Sequence, residues 1–379
     1  MIRWHVGPLP TTLLEVAILA TLLIFAVETV QNRAQVQWRG PLLIPASVFI
    51  LAGAISVLVS GDHRAALGLY RAYFLEPAAY ALVVGNVAWT VRRVGVVLLG
   101  FAAGGVYAAL LNMAVVIDAI RHHVLDLATT PPVVIYQTAN ALALYLIPLV
   151  AIAASVCLYG RSRWDRWAGG IFLVVAVPAS ILTFSRGGFL ALAVIGLGLA
   201  ISHRRAKLLL PAVVLLGLLI SQIPPIRRRI AYELHPIPGN TLDFRLRLWG
   251  QTLKLMSHHP VFGIGLSYYQ QAMGPYWQDL PQVIYPHNIF LNFWTITGIP
   301  GLIGFVWLSV RTFILSLRGW WHDEPAWRPY ELGILLALLA ILAHGLVDVP
   351  FFKNDLSLEY WALVGVAWAA SQWGGRTSP

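Results

Sequence analysis

Apolar stretches long enough to cross a bilayer recur from near the first residue of this chain almost to the last. A helical crossing takes about 20 residues. Such runs predict helices over 11–30, 41–60, 67–90, 94–117, 133–159, 167–184, 187–203, 207–223, 288–316, 331–350 and 356–373. The expected fold is therefore an all-α polytopic membrane protein of about 11 transmembrane helices with one large outward loop. Composition agrees. Charged residues make up 11% and hydrophobic ones 58%, against about 25% charged in soluble domains, an excess no soluble core could absorb. Arg3 ahead of an apolar segment suggests a signal peptide, but Glu15 and Glu28 interrupt it and no small-residue cleavage pattern follows. A retained first helix is expected. The single cysteine, Cys157, excludes an intrachain disulfide and gives no basis for a cysteine metal site.

The net charge of +10 does not point to nucleic acid, because the basic residues lie in short loops between apolar runs. Arg33, Arg39, Arg92, Arg93, Arg161, Arg163, Arg166, Arg204, Arg205, Lys207, Arg318, Arg328 and Arg376 follow odd-numbered runs. Only Arg3, Arg64, Arg121, Arg186 and Lys353 lie in the short segments of the other side. Positive charge collects in the cytoplasm, so the N-terminus and the long loop are expected outside. That loop, 224–286, nevertheless carries Arg227, Arg228, Arg229, Arg245, Arg247 and Lys254. Binding an anionic ligand would explain them; contact with lipid phosphates is the structural alternative. The expected division is 1–132 for N-terminal helices, 133–373 for a second transmembrane region including the loop, and 374–379 for a short cytoplasmic tail.

Four outward places concentrate polar groups. In the turn Thr183-Phe184-Ser185-Arg186-Gly187-Gly188, two glycines permit a sharp bend and an arginine beside a helix N-terminus can meet phosphate oxygens. In the long loop, Arg245 and Trp249 share a helix face, and guanidinium groups bind diphosphate bidentately. His258 and His259 are adjacent and point apart on regular backbone, which argues against a shared metal. At the start of the ninth run, His287-Asn288 offers an imidazole that can take a proton from a sugar hydroxyl; a capping pair is the alternative. At the end of the tenth run, His344 and Asp348 are four apart and should share a face, so that the carboxylate orients the imidazole; Lys353 follows. Arg71 and Glu76 invite a similar argument but stand five apart.

The order SRGG, R-x-x-x-W, H-P-x-x-G-x-G, H-N-x-x-L, G-x-x-G-L resembles the O-antigen ligase and polymerase family. Here the elements fall at Arg186, Arg245 to Trp249, His259 to Gly265, His287 to Leu291 and Gly298 to Leu302, with Asn140 and Tyr145 fitting less specifically. The resemblance implies a bacterial inner-membrane glycosyltransferase acting on the periplasmic face, metal-independent and without cofactor. It would move glycan from undecaprenyl diphosphate to lipid A core, a growing polymer or a protein hydroxyl. Arg186, Arg245 and His287 would be catalytic, the arginines gripping the diphosphate and His287 serving as base. Arg227, Arg228, Arg247, Trp249, Asn288, His344, Asp348 and Lys353 would contact substrate. Where many relatives carry glutamate, this chain has Ile296. The rival class is a transporter or flippase of lipid-linked saccharides, for which internal repeats and midplane polar groups would be expected.

Overall fold

The computed structural model describes residues 3–6, 9–31, 36–122, 133–203, 222, 227 and 240–374. It is an all-α polytopic membrane protein. A small hairpin of β1 (Arg3–Val6) and β2 (Leu9–Thr12) precedes the helices, pairing Arg3 with Thr12. The helices are α1 (Leu13–Val30), α2 (Leu43–Val59), α3 (His63–Tyr70), α4 (Glu76–Val87), α5 (Val91–Arg121), α6 (Ala139–Tyr159), α7 (Arg163–Ile181) and α8 (Arg186–Ser202). They continue with α9 (Thr241–His258), the short α10 (Tyr269–Ala272), α11 (Ile289–His322), α12 (Arg328–Gly345) and α13 (Asn354–Trp373). Helical structure occupies every expected run except 207–223, of which only residue 222 is described. Among the described residues five helices, α1, α5, α6, α11 and α12, are long and apolar enough to cross a membrane, and α2 and α8 are shorter apolar helices.

Burial separates centre from rim. Of its apolar window, α6 buries 78% and α12 buries 72%, against 11% for α1. Because lipid is as apolar as leucine, burial itself does not drive helix association; close packing does. The aromatic knot around Phe49 of α2 shows how: its ring lies 4.9 Å from Phe74, 5.3 Å from Phe293 and 5.7 Å from Phe351. That knot ties the N-terminal helices to α11 and to the α12–α13 turn.

Departures from regular helix occur at Arg71–Leu75 and at Gly298. Between α3 and α4, Arg71–Leu75 form a π-helical turn in which the Glu76 N–H donates to the Arg71 carbonyl. In such a turn residues five apart stand above one another, so the Arg71 guanidinium reaches Glu76 at 3.2 Å and also Glu15 at 3.3 Å. The spacing that looks wrong for an α-helix is right for this one. The second departure is the kink in α11 at Gly298, whose φ of 69° lies in the left-handed region, followed by Pro300. The backbone groups freed there are satisfied from outside: Ile299 N–H donates to Val261 O (2.9 Å), Thr295 O accepts from Ile264 N–H (2.8 Å), and Ile296 O accepts from Ser56 Oγ. The H-P-x-x-G-x-G segment is thus a plug in the kink. A Cβ on Gly263 would stand 2.3 Å from Thr295 O, closer than any side chain permits. Ile296 itself is buried in the main core.

Candidate active site

A cavity of about 320 Å³ opens at one end of the bundle, between the start of α6, the α7–α8 turn, α9, the segment before α11 and the α12–α13 turn. Arg186, Arg245 and His287 all line it, with His344, Asp348 and Lys353. A smaller cavity of about 130 Å³ beside α5, α6 and α7 is lined mainly by apolar side chains, with Asp165 and Tyr330 its ionisable ones.

The α7–α8 turn is built by its own hydroxyls. Thr183 Oγ1 accepts from the Ser185 N–H at 3.2 Å, Phe184 turns through a left-handed φ of 52°, and Ser185 caps α8 by accepting from the Gly188 N–H at 3.2 Å. Ser185 Oγ also meets His344 Nε2 at 3.2 Å. Gly187 makes that approach possible, since a Cβ there would sit 2.4 Å from the His344 ring. Arg186, the first residue of α8, is exposed and faces the cavity mouth with the helix N-terminus behind it.

In the long loop α9 is capped by Asn240, whose side chain accepts from the Asp243 N–H at 2.9 Å. One face does two tasks: Arg245 reaches the cavity, and Trp249, one turn on, donates from Nε1 to Pro286 O at 2.8 Å. Trp249 therefore holds the backbone just ahead of His287 and does not line the cavity. Arg247 points away and pairs with Asp279, with Asp243 at 3.9 Å. The loop has its own small core of Leu248, Leu255, Ile264, Tyr269, Met273 and Trp277, in which Thr252 Oγ1 and Tyr269 OH are 2.7 Å apart. It is a folded platform from which Arg245 projects.

His287 occupies a left-handed φ of 51°, an uncommon conformation for a side-chain-bearing residue, held by its surroundings. Its ring is edge-on to Tyr285, with centroids 4.9 Å apart. Its Nδ1 lies 3.4 Å from Asp348 Oδ1. Asn288 caps α11 by accepting from the Leu291 N–H at 3.0 Å and donates to Leu346 O at 3.0 Å. Asp348 is buried and also accepts from Asn140 Nδ2 (3.2 Å) and the Val349 N–H (2.9 Å). Burial works against its ionised form, but the hydrogen bond and charge of His287, with His344 and Arg245, outweigh that and hold the carboxyl below the usual range. Burial, with the Asp348 charge next in size, pushes the Tyr285 phenol up.

The expected His344–Asp348 helix pair needs correction. The helix ends at Gly345, so Asp348 lies in the following turn and the four-residue spacing no longer sets a common face. Asp348 instead hydrogen-bonds the imidazole of His287, and His344 turns to Ser185. Arg227 is exposed, and Arg228 lies outside the described residues. His258 Nδ1 contacts Lys254 O and Tyr276 OH within the loop. Thr138, Thr241 and Phe352 line the cavity without having been singled out in the sequence; their positions next to the motifs were the only signal.

Residues 176–306 match the O-antigen ligase family. The matched stretch is a little over a third of the chain and runs from the end of α7, through the turn, the loop and His287, to beyond the α11 kink. Over that stretch the chain is similar to O-antigen ligases, a likeness that supports glycosyltransferase-like activity in general. Asn140, His344, Asp348 and Lys353 complete the same cavity from outside the matched stretch. No curated protein matches the chain.

Proposed function

We propose that the chain transfers a glycan from undecaprenyl diphosphate to a hydroxyl of a lipid- or glycan-linked acceptor at the periplasmic face of a bacterial inner membrane. The observation that carries the reading is the cavity lining: three cations, Arg186, Arg245 and Lys353, beside a His287–Asp348 pair. The placement of basic loop residues supports the outward face.

With Nδ1–H donated to Asp348, His287 keeps Nε2 as a proton acceptor. The acceptor hydroxyl attacks the anomeric carbon as its proton passes to Nε2. The bond from that carbon to the diphosphate oxygen breaks, and its electron pair leaves with undecaprenyl diphosphate. Attack from the face opposite the leaving group inverts the anomeric centre. Arg186 and Arg245 stabilise the negative charge that builds on the diphosphate, and Asp348 stabilises the imidazolium that forms. Ligase, polymerase and protein-directed transferase differ in which molecule supplies the hydroxyl.

The test is glycan transfer from an undecaprenyl diphosphate donor in reconstituted membranes. His287→Ala is expected to lower turnover by roughly 10²–10⁴-fold with folding intact. Unchanged turnover would remove His287 from the chemistry. A parent protein that moves the carrier across the bilayer without forming a glycosidic bond would replace transfer by transport.

A further inference from the structure

The cavity carries a feature that neither the arginines nor the histidine explains. Beside Phe184 in the α7–α8 turn, two further aromatic rings, Tyr285 and Phe352, line it, and both stay half-buried. Aromatic surface turned toward a polar cavity forgoes the burial available in the core or in lipid. These rings are also braced. Phe352 packs against Phe293 at 4.9 Å, Phe351 at 5.3 Å and, edge-on, Tyr73 at 6.0 Å. Tyr285 stands edge-on to the imidazole of His287. The rings come from the segment before α11 and the α12–α13 turn, whereas Arg186 and Arg245 come from α8 and α9. Both rings are thus built on segments other than those of the two arginines, with Lys353 next to Phe352 in the chain.

We propose that Phe352 and Tyr285 form a carbohydrate-stacking wall that receives the sugar attached to the diphosphate, with Tyr73 as its brace. A glycosyl diphosphate has an anionic half and a sugar half. The C–H bonds of a sugar face carry slight positive charge and sit well on the negative face of an aromatic ring. A ring fixed before binding loses little freedom when the sugar arrives. The wall adjoins His287, where the anomeric carbon must lie for the hydroxyl proton to reach the imidazole. The inference rests on the transfer reading above.

The test measures binding of two carriers to the full-length protein in nanodiscs: bare undecaprenyl diphosphate, and the same lipid bearing one N-acetylhexosamine. Phe352→Leu and Tyr285→Leu are each expected to weaken the glycosylated carrier by roughly three- to tenfold and leave the bare carrier unchanged. Retained binding of the bare carrier also reports that the variant is folded. Phe352→Trp, which keeps an aromatic face, is expected to bind the glycosylated carrier within about twofold of the parent. Equal loss for both carriers, or none for either, overturns the wall while leaving the diphosphate site standing. Failure of the parent to bind bare undecaprenyl diphosphate overturns the diphosphate site and the wall with it.

Discussion

Two clusters of arginine and carboxylate lie side by side at one end of the bundle, and their charge balance runs in opposite directions. In the first, two carboxylates, Glu15 and Glu76, share the single guanidinium of Arg71. Glu15 also accepts from Asn354 Nδ2 and from the Thr12 N–H at 3.0 Å, so the cluster stitches β2, α1, the π turn and the start of α13 together. In the second, Arg186, Arg245 and Lys353 line a cavity in which, among the described residues, Asp348 is the one carboxylate. The first cluster spends its charges on one another and joins helices. The second presents a positive balance to a space of about 320 Å³, which suits an anionic ligand. Abundance of charge at a membrane end therefore says little; the ratio of signs around a cavity says more.

The contrast can be broken by exchanging what is removed. Arg245→Ala is expected to lower glycan transfer by roughly 10²–10³-fold at nearly unchanged melting temperature, the cost of deleting one fixed cation from a developing negative charge. Arg71→Ala should behave the other way, losing about 3 kcal/mol of stability by stranding two carboxylates while turnover per folded molecule stays within a few-fold. Thermal melting in detergent, run beside the transfer assay, separates them; a catalytic defect confined to Arg71→Ala would erase the distinction drawn here.

A smaller effect should come from the residue that couples loop to base. Trp249→Phe removes the hydrogen bond to Pro286 O and keeps the ring, so turnover should fall roughly three- to tenfold with carrier binding intact. If binding falls and turnover per bound carrier does not, Trp249 acts on the loop as a whole and not on the backbone ahead of His287.

The smallest effect concerns acid. Asp348 is held below its unfolded value of about 3.9. The stability it adds is present above that value and is lost as pH falls through the lower folded one. Asp348→Asn should therefore melt at a temperature that declines less steeply than the parent's between roughly pH 5 and pH 3. Parallel curves would mean that the carboxyl gains nothing from His287, His344 and Arg245.

The sequence by itself determined the helical class, because apolar runs of bilayer length leave a chain few other folds. It also singled out short segments that the structure brings to one cavity. Arg186, Arg245 and His287 were legible because glycine, arginine and histidine in that order at the ends of apolar runs are hard to explain as lipid-facing residues. The tertiary structure alone decided who meets whom. Asp348 pairs with His287 across 61 residues of sequence and with Asn140 across 208, although the helical repeat assigned it to His344. Arg247 was expected to contact substrate, yet two residues on from Arg245 the helix turns its side chain away from the cavity and toward Asp279. Arg71 and Glu76 met because a π turn changed the repeat, and Tyr285 and Phe352 reach the cavity from positions that, in sequence, are ordinary for a membrane protein. The physical reason for the unforeseen pairings is that periodicity fixes neighbours only within one regular helix, and Asp348 and Arg71 lie where a helix ends or changes its pitch.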